Sequence, residues 1–277
     1  MKKLKQIDLH THTTASDGTF SPAENILRAI EKGLKAIAIT DHDTVNGITE
    51  GLAEAEKHEG IECIPGIEIS TLYKGQDIHV LGYFIDYNDE EFLSTLQKLQ
   101  LVRDQRNYLI LKNLNELGIH ISESELEAKR HGNGNVGRGH IAEILMEKGI
   151  VNSIPEAFDK YLAKGRPAFA MIERISPIEA IKLIRAANGI PVLAHPGIYD
   201  ADELIPVLCE NGLAGLEYFH PDHTEEQVIH YENLADRYSL IKTAGSDFHG
   251  FRNGEVFHGD IGCCSVSYCT LTKLRNK

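Results

Sequence analysis

The chain has 277 residues, a formal net charge of −13 and a pI of about 5.5. This acidic balance excludes a protein that holds long duplex nucleic acid mainly through Lys and Arg contacts with phosphates. The N-terminal segment MKKLKQIDLHTHT lacks the apolar run of a signal peptide, and no stretch approaches the roughly 20 apolar residues of a membrane span. The odd count of five cysteines argues against a disulfide framework. We therefore expect a soluble, cytoplasmic protein with no membrane partner.

Short β-branched runs alternate with amphipathic helical patterns along the chain, which predicts βα units and a parallel sheet. The first predicted helix begins at a capping box, Ser21-Pro22-Ala23-Glu24, with proline at its first helical position. Ser176-Pro177-Ile178-Glu179 repeats this pattern later in the chain. The predicted strands cover residues 5–10, 36–40, 61–69, 78–85, 190–194, 214–218 and 240–244.

Residues 89–170 interrupt this alternation. They contain a long helical pattern near 89–117 and shorter helical patterns after it. No linker rich in Pro or Ser flanks them, so the sequence predicts a helical insertion (residues 89–170) in a barrel formed by residues 1–88 and 171–277.

Nearly every predicted strand has a residue capable of binding a metal at one end. His10 and His12 are two apart on a strand, so both imidazoles face the same side. Barrels build their active sites at the carboxyl ends of their strands. Nine ligands are too many for one zinc ion but suit two or three ions, and mixed imidazole and carboxylate donors favour Mn, Fe or Zn over Ca. The nine candidates are His10, His12, Asp17, His42, Glu68, His79, His195, Asp247 and His249.

These residues stand in motifs that resemble those of the polymerase and histidinol phosphatase (PHP) superfamily, and the resemblance runs over almost the whole chain. The insertion and Val136-Gly137-Arg138-Gly139-His140 resemble a branch of 3′,5′-nucleotide bisphosphate phosphatases that also act as 5′→3′ exoribonucleases on short RNA. That branch usually has proline where this chain has Gly139, which makes the loop more flexible. The motifs are His10-Thr11-His12, Asp17-Gly18, Thr40-Asp41-His42, Gly66-Ile67-Glu68, His79-Val80-Leu81-Gly82, Ala194-His195-Pro196 and Ser246-Asp247-x-His249.

The resemblance implies a distorted (β/α)7 barrel with an inserted helical subdomain and, usually, three metal ions. Mn²⁺ is the expected ion, with Fe²⁺ or Zn²⁺ as alternatives. The resemblance assigns the ligands as follows: His10, His12, Glu68 and Asp247 to the first ion, Glu68, His79 and His195 to the second, and Asp17, His42 and His249 to the third.

The expected reaction is in-line attack on phosphorus by a hydroxide that bridges the metal ions. We count His195 and Asp247 as catalytic, and His195 or a metal-bound water would protonate the leaving ribose oxygen. Arg138, His140 and Arg166 are the predicted substrate contacts, and all three belong to the insertion, which would act as a lid. The expected substrate is a small phosphorylated nucleotide or the end of a short single-stranded RNA.

Three other functions remain open on the sequence. A histidinol-phosphate-type phosphatase would use the same ligands, but a compact substrate does not need a roughly 80-residue lid. A non-catalytic metal-binding module would have lost ligands, whereas all nine are present. Amide hydrolysis on a similar barrel would favour a strand-end lysine that bridges the metals, which this chain lacks.

Overall fold

A computed structural model describes residues 6–132, 134–199, 201–252 and 254–277. Its strands are β1 (Gln6–Asp8), β2 (Ala36–Ile39), β3 (Glu62–Tyr73), β4 (Gln76–Tyr83), β5 (Ile190–Leu193), β6 (Gly215–Phe219), β7 (Ile241–Ala244), β8 (Phe251–Arg252), β9 (Glu255–Val256) and β10 (Val266–Ser267). Its α-helices are α1 (Pro22–Glu31), α2 (Ile48–Ala55), α3 (Glu90–Glu116), α4 (Glu123–Glu127), α5 (Arg138–Glu147), α6 (Ile154–Ala157), α7 (Pro177–Ala186), α8 (Leu204–Glu210), α9 (Glu225–Arg237) and α10 (Cys269–Arg275).

Eight strands form one barrel-shaped sheet in the order β10-β1-β2-β3-β4-β5-β6-β7, while β8 and β9 make a separate hairpin. The N–H of Leu9 donates to the carbonyl of Ala244 at 3.1 Å, and that of His12 donates to Phe248 at 2.9 Å. These bonds join the end of β1 to the end of β7 and nearly close the barrel. The α/β barrel and all seven predicted strands are confirmed, and β10 adds a short antiparallel strand beside β1.

The expectation of a wholly parallel sheet is wrong at β4. This strand runs antiparallel to both β3 and β5, and it follows β3 through the two-residue turn Lys74-Gly75. Both turn residues have positive φ, 48° and 73°, which matches the twist of a tight hairpin and leaves no room for a crossover helix. The reversal places the beginning of β4, with His79, at the end of the barrel where the parallel strands finish.

The helices around the barrel begin where the sequence predicts. Ser21 and Ser176 each form a complete capping box with the glutamate three residues later, and proline occupies the first turn of both α1 and α7. The apolar faces of these helices are buried, through Ile26 in α1 and through Ile181 in α7. Burial against the sheet fixes the helices, and with them the loops that carry the site.

Helices α3 to α6 lie in the helical insertion, between β4 and β5. Their inward residues form a hydrophobic cluster of their own, which includes Ile110, Leu114, Ile141 and Leu145. α3 has 27 residues and matches the long helical pattern predicted near 89–117. Asp89 caps its N-terminus, where the Asp89 side chain accepts the N–H of Phe92. No helix in the described residues is both long enough and apolar enough to cross a membrane.

Candidate metal centre

Glu68 stands at the centre of the polar end of the barrel. Its carboxylate is 1% exposed, and each of its oxygens faces several imidazoles. Oε1 lies 2.9 Å from His79 Nδ1 and 3.0 Å from His195 Nε2. Oε2 lies 2.9–3.4 Å from nitrogens of His10, His12 and His42. Five imidazoles therefore converge on one carboxylate.

Two further groups of possible donors surround Glu68. His10, His12, Glu68 and Asp247 bring their donor atoms within 4.8 Å of one another, and we call them the Asp247 cluster. His12, Asp17, His42 and His249 do the same and form the Asp17 cluster. The structure thus brings together all nine residues that the sequence proposed, in groups close to the expected partition, with His12 as an additional member of the Asp17 cluster. Their assignment as ligands stays a prediction.

Within the described residues, several donor atoms of this centre are buried and make no hydrogen bond of normal geometry, even where an imidazole and a carboxylate lie close together. They are Asp17 Oδ1, His42 Nδ1, Glu68 Oε2, His79 Nδ1, His195 Nδ1 and Asp247 Oδ1. A buried polar atom left unpaired costs free energy, so a cluster of them indicates a missing counterpart. Divalent cations fit this set, because every atom offers a lone pair.

The protonation states suit cation binding. Burial lowers the pKa of His42 and of His195 to about 4, so both rings are neutral at pH 7. Burial opposes ionisation of Glu68, but His79 and His42 hold its pKa well below the usual range. Burial also opposes ionisation of Asp247, but His10 and His258 hold the pKa of this carboxyl well below the usual range. The neutral imidazoles of His42 and His195 and the ionised carboxylates are the donor forms that metals require. Burial lowers the pKa of His12, but Asp247 and Glu68 raise it to about 10, so this ring must release a proton when it binds a cation. The pKa of His10 is likewise raised against its burial, chiefly by Glu217.

A cavity of about 570 Å³ opens above this centre. Its floor carries candidate ligands such as His42, Glu68 and His195. Another part of its wall comes from the helical insertion, which supplies both aromatic and basic side chains. These are Arg103, Arg106, Arg138, Phe158 and Phe169.

Arg106 is the most unusual group in this wall. It is 3% exposed, and its Nε and Nη2 have no hydrogen-bond partner. Burial, together with the neighbouring Arg138 and Arg103, lowers its pKa well below the ordinary value. Arg103 contacts Asp43 and Ser70, and Arg138 contacts Asp77 at 2.5 Å, so Arg106 alone of the three has no carboxylate partner among the residues that the structure describes. An uncompensated buried guanidinium is a strong site for an anion.

A family model described as the PHP domain matches residues 8–173. The chain belongs to the PHP family. It is 36% identical to a 5′-3′ exoribonuclease of Haemophilus influenzae, over 88% of this chain and 90% of that protein. It is 30% identical to a 3′,5′-nucleoside bisphosphate phosphatase of Chromobacterium violaceum, over 89% and 88%.

Other comparisons give the same family with different substrates. A phosphoribosyl 1,2-cyclic phosphate 1,2-diphosphodiesterase of Eggerthella lenta is 33% identical, over 91% of this chain and 96% of that protein. A crystal structure from Bifidobacterium adolescentis, provisionally assigned as a metal-dependent phosphoesterase, superimposes with a TM-score of 0.88 at 27% identity, covering 97% of this chain and 94% of that one. This PHP protein is a metal-dependent phosphoesterase, and so a phosphoric ester hydrolase.

The three substrate contacts predicted for this PHP protein lie in different surroundings. Arg138 lines the cavity. His140 is buried beside it, and its Nδ1 accepts the N–H of Gly137 at 3.2 Å. Arg166 pairs with Asp159 at 2.5 Å on the surface and is not among the residues described as lining the cavity. Arg106 lines the cavity although the sequence did not point to it, and Arg166 stays a predicted substrate contact.

Two other residues of the PHP centre escaped the sequence analysis. His10 Nδ1 lies 3.1 Å from both carboxylate oxygens of Glu217, which also accepts the N–H of His195 at 2.8 Å. Because a carboxylate only accepts, His10 Nδ1 donates this bond, and the ring is held with Nε2 3.4 Å from Glu68 Oε2 and 3.3 Å from Asp247 Oδ1. His220 is also buried, and its Nε2 lies 3.2 Å from Asp247 Oδ2. Glu217 could have been suspected from the sequence, because it is a charged residue inside an otherwise apolar strand.

Proposed function

We propose that this PHP protein hydrolyses the 3′-phosphate of nucleoside 3′,5′-bisphosphates and, at the same site, releases 5′-nucleotides from short RNA. The observation that carries the proposal is that two sets of side chains line one cavity. One set is the candidate metal ligands, and the other is Arg106 with Arg103 and Arg138. A substrate with two phosphates satisfies both. The names of two relatives, an exoribonuclease and a bisphosphate phosphatase, support the same substrate class.

Three divalent cations are part of the proposal, with Mn²⁺ as the first choice. The Asp247 cluster would hold one, Glu68 with His79 and His195 a second, and Asp17, His42 and His249 the third. Cations held there supply charge neutralisation at the phosphoryl oxygens and activation of water near neutral pH.

The chain's own residues bind and orient the rest of the substrate. Arg106 and Arg138 would hold the second phosphate, since a guanidinium donates to two phosphate oxygens at once. Phe158 and Phe169 would contact the nucleoside and exclude water. We keep His195 and Asp247 as catalytic residues because both line the cavity beside Glu68.

A histidinol-phosphate-type substrate fits this geometry less well. It has one phosphate, so the metal ligands would be used while Arg106 stayed buried without a counter-ion. A substrate with one phosphate would forgo the favourable pairing that a second phosphate makes with this buried charge. The helical insertion would also have no evident role in binding a compact substrate.

A panel of substrates tests the proposal. With Mn²⁺ present, adenosine 3′,5′-bisphosphate, a short 5′-phosphorylated RNA and histidinol phosphate would be compared by kcat/KM. We expect the bisphosphate and the RNA to exceed histidinol phosphate by at least about tenfold, or about 1.4 kcal/mol in transition-state stabilisation. Preference for histidinol phosphate would contradict the proposal.

A further inference from the structure

The helical insertion contacts the barrel loops that carry Asp17 and His42. Asn135, in the connection between α4 and α5, is 4% exposed. Its Nδ2 donates to the carbonyl of His42 at 2.7 Å, and its backbone N–H donates to the carbonyl of Ala15 at 2.9 Å. Asn135 therefore binds the backbone of both loops at once.

The neighbouring Gly134 allows this close approach. A Cβ atom at this position would lie 2.8 Å from the carbonyl oxygen of Ala15 and 2.9 Å from that of Thr14. Both neighbours are backbone atoms, which cannot move aside as a flexible side chain does. The connection and the loop before Asp17 thus fit together only without a side chain at position 134.

Helix α3 holds the residue that follows His42. Asp43 adopts a left-handed conformation with φ of 52°. One of its carboxylate oxygens accepts from Arg103 of α3, with Nε at 3.1 Å, and the other accepts the N–H of Ser70 at 2.8 Å. An uncommon backbone conformation next to His42 is thus fixed partly from the insertion.

His249, another member of the Asp17 cluster, is connected to the insertion through Arg252. The Nη2 of Arg252 donates to the carbonyl of Asp17 at 2.6 Å, and its Nη1 donates to that of His249 at 3.4 Å. Its Nε lies 3.6 Å from Glu143 Oε2 in α5. By contrast, His10 is hydrogen-bonded to Glu217, which lies on the barrel strand β6.

We propose that the helical insertion is a structural part of the Asp17 cluster and sets how tightly a divalent cation is held there. Ligand orientation depends on the contacts behind the ligands, and loss of such a contact typically costs 10–100-fold in metal affinity. The other two cation positions do not depend on Asn135. This inference rests on the proposed function, in particular on its three cations.

Asn135→Ala tests the inference, with Asn113→Ala as the matched control. Asn113 also donates from Nδ2 to backbone carbonyls, but to Ala168 and Phe169 inside the insertion. Mn²⁺ binding would be measured by titration and by elemental analysis after dialysis. In Asn135→Ala we expect one equivalent to bind roughly tenfold more weakly or worse, with two equivalents retained. Asn113→Ala should bind all three as the wild type does.

Two further measurements guard against a variant that fails to fold. Gly134→Ala should weaken the same single equivalent without removing any polar group. In the wild-type protein, binding must be reciprocal, so Mn²⁺ should slow hydrogen exchange at the Asn135 amide more than at the Asn113 amide. Wild-type affinity for three equivalents in folded Asn135→Ala, or no such slowing, would overturn the inference and leave the proposed function intact. A wild-type protein that binds only two equivalents would overturn the three-cation assignment and this inference together.

Discussion

Arg106 shows how a single residue can be kept at the expense of stability. Its buried guanidinium lacks a counter-ion, and Arg103 and Arg138 lie close by. We expect Arg106→Met to raise the free energy of unfolding by roughly 1–4 kcal/mol, as replacement of buried ionic groups by apolar side chains often does. The same change should lower kcat/KM for a nucleoside 3′,5′-bisphosphate at least about tenfold. Urea unfolding and steady-state kinetics measure the two effects.

Arg166→Met is the control for this trade-off, because Arg166 is exposed and paired with Asp159. It should change neither quantity by much, since exposed ion pairs contribute about 0–1 kcal/mol. A destabilised Arg106→Met with unchanged kinetics would mean that Arg106 serves the fold and not the substrate.

Arg138 makes a different prediction because it contacts a carboxylate, that of Asp77, which Arg174 also contacts. Arg138→Ala should lower kcat/KM at least about tenfold on a nucleoside 3′,5′-bisphosphate, or about 1.4 kcal/mol, while a simple aryl phosphate loses little. The aryl phosphate lacks the second phosphate, so it does not use this side chain. Equal losses on both substrates would place Arg138 at the reacting phosphate or in folding.

Among the elements, helix α5 contains His140, and the stability of the fold depends on pH through this residue. Burial lowers its pKa to about 4, below the value of about 6.5 for an exposed histidine. Between these values the unfolded chain binds a proton that the folded chain does not, so stability falls as pH falls from 6.5 to 4. The contribution of His140 is about 3 kcal/mol at most. Metal-free wild type and His140→Gln would be unfolded in urea at pH 7.5 and 4.5, and the variant should lose less stability. Equal losses would show that His140 does not titrate as its burial implies.

The elements themselves could largely be predicted from sequence. Strand positions follow from apolar runs, and the helix starts follow from the capping boxes at Ser21 and Ser176. The direction of β4 could not be predicted from its composition, since a strand's direction depends on the connection before it. The signal lay in the turn Lys74-Gly75, whose length permits a hairpin and no crossover.

The candidate site could be predicted only where its residues stand in motifs. The metal ligands follow strand ends in fixed patterns, so they could be proposed together. Arg103 and Arg106 stand on a helix rich in charged residues, and arginine on a helix is usually solvated. Their burial arises only when α3 packs over the barrel. Glu217 likewise acquires its role from His10, which is 207 residues away in sequence.

At the scale of the whole molecule, the net charge of −13 limits how RNA can bind. Affinity should come from one or two phosphates held by cations and by the arginines of the cavity. The slope of log K against log salt should then have a magnitude of roughly 0.7–1.4, at about 0.7 per neutralised phosphate of a single strand. Fluorescence titration of a labelled short RNA across salt concentrations measures it. A slope several times steeper would indicate a long binding groove along the surface.

In the proposed function, one cavity recognises two phosphates on one nucleoside. The most direct test compares kcat/KM for a nucleoside 3′,5′-bisphosphate with that for the 3′-monophosphate of the same nucleoside, under one Mn²⁺ concentration. Both substrates carry the same scissile bond, so the ratio isolates the contribution of the second phosphate. We predict a preference of at least about tenfold for the bisphosphate, equivalent to about 1.4 kcal/mol. A ratio near one would contradict the proposed function, because the second phosphate would then contribute nothing to transition-state binding at the buried arginines.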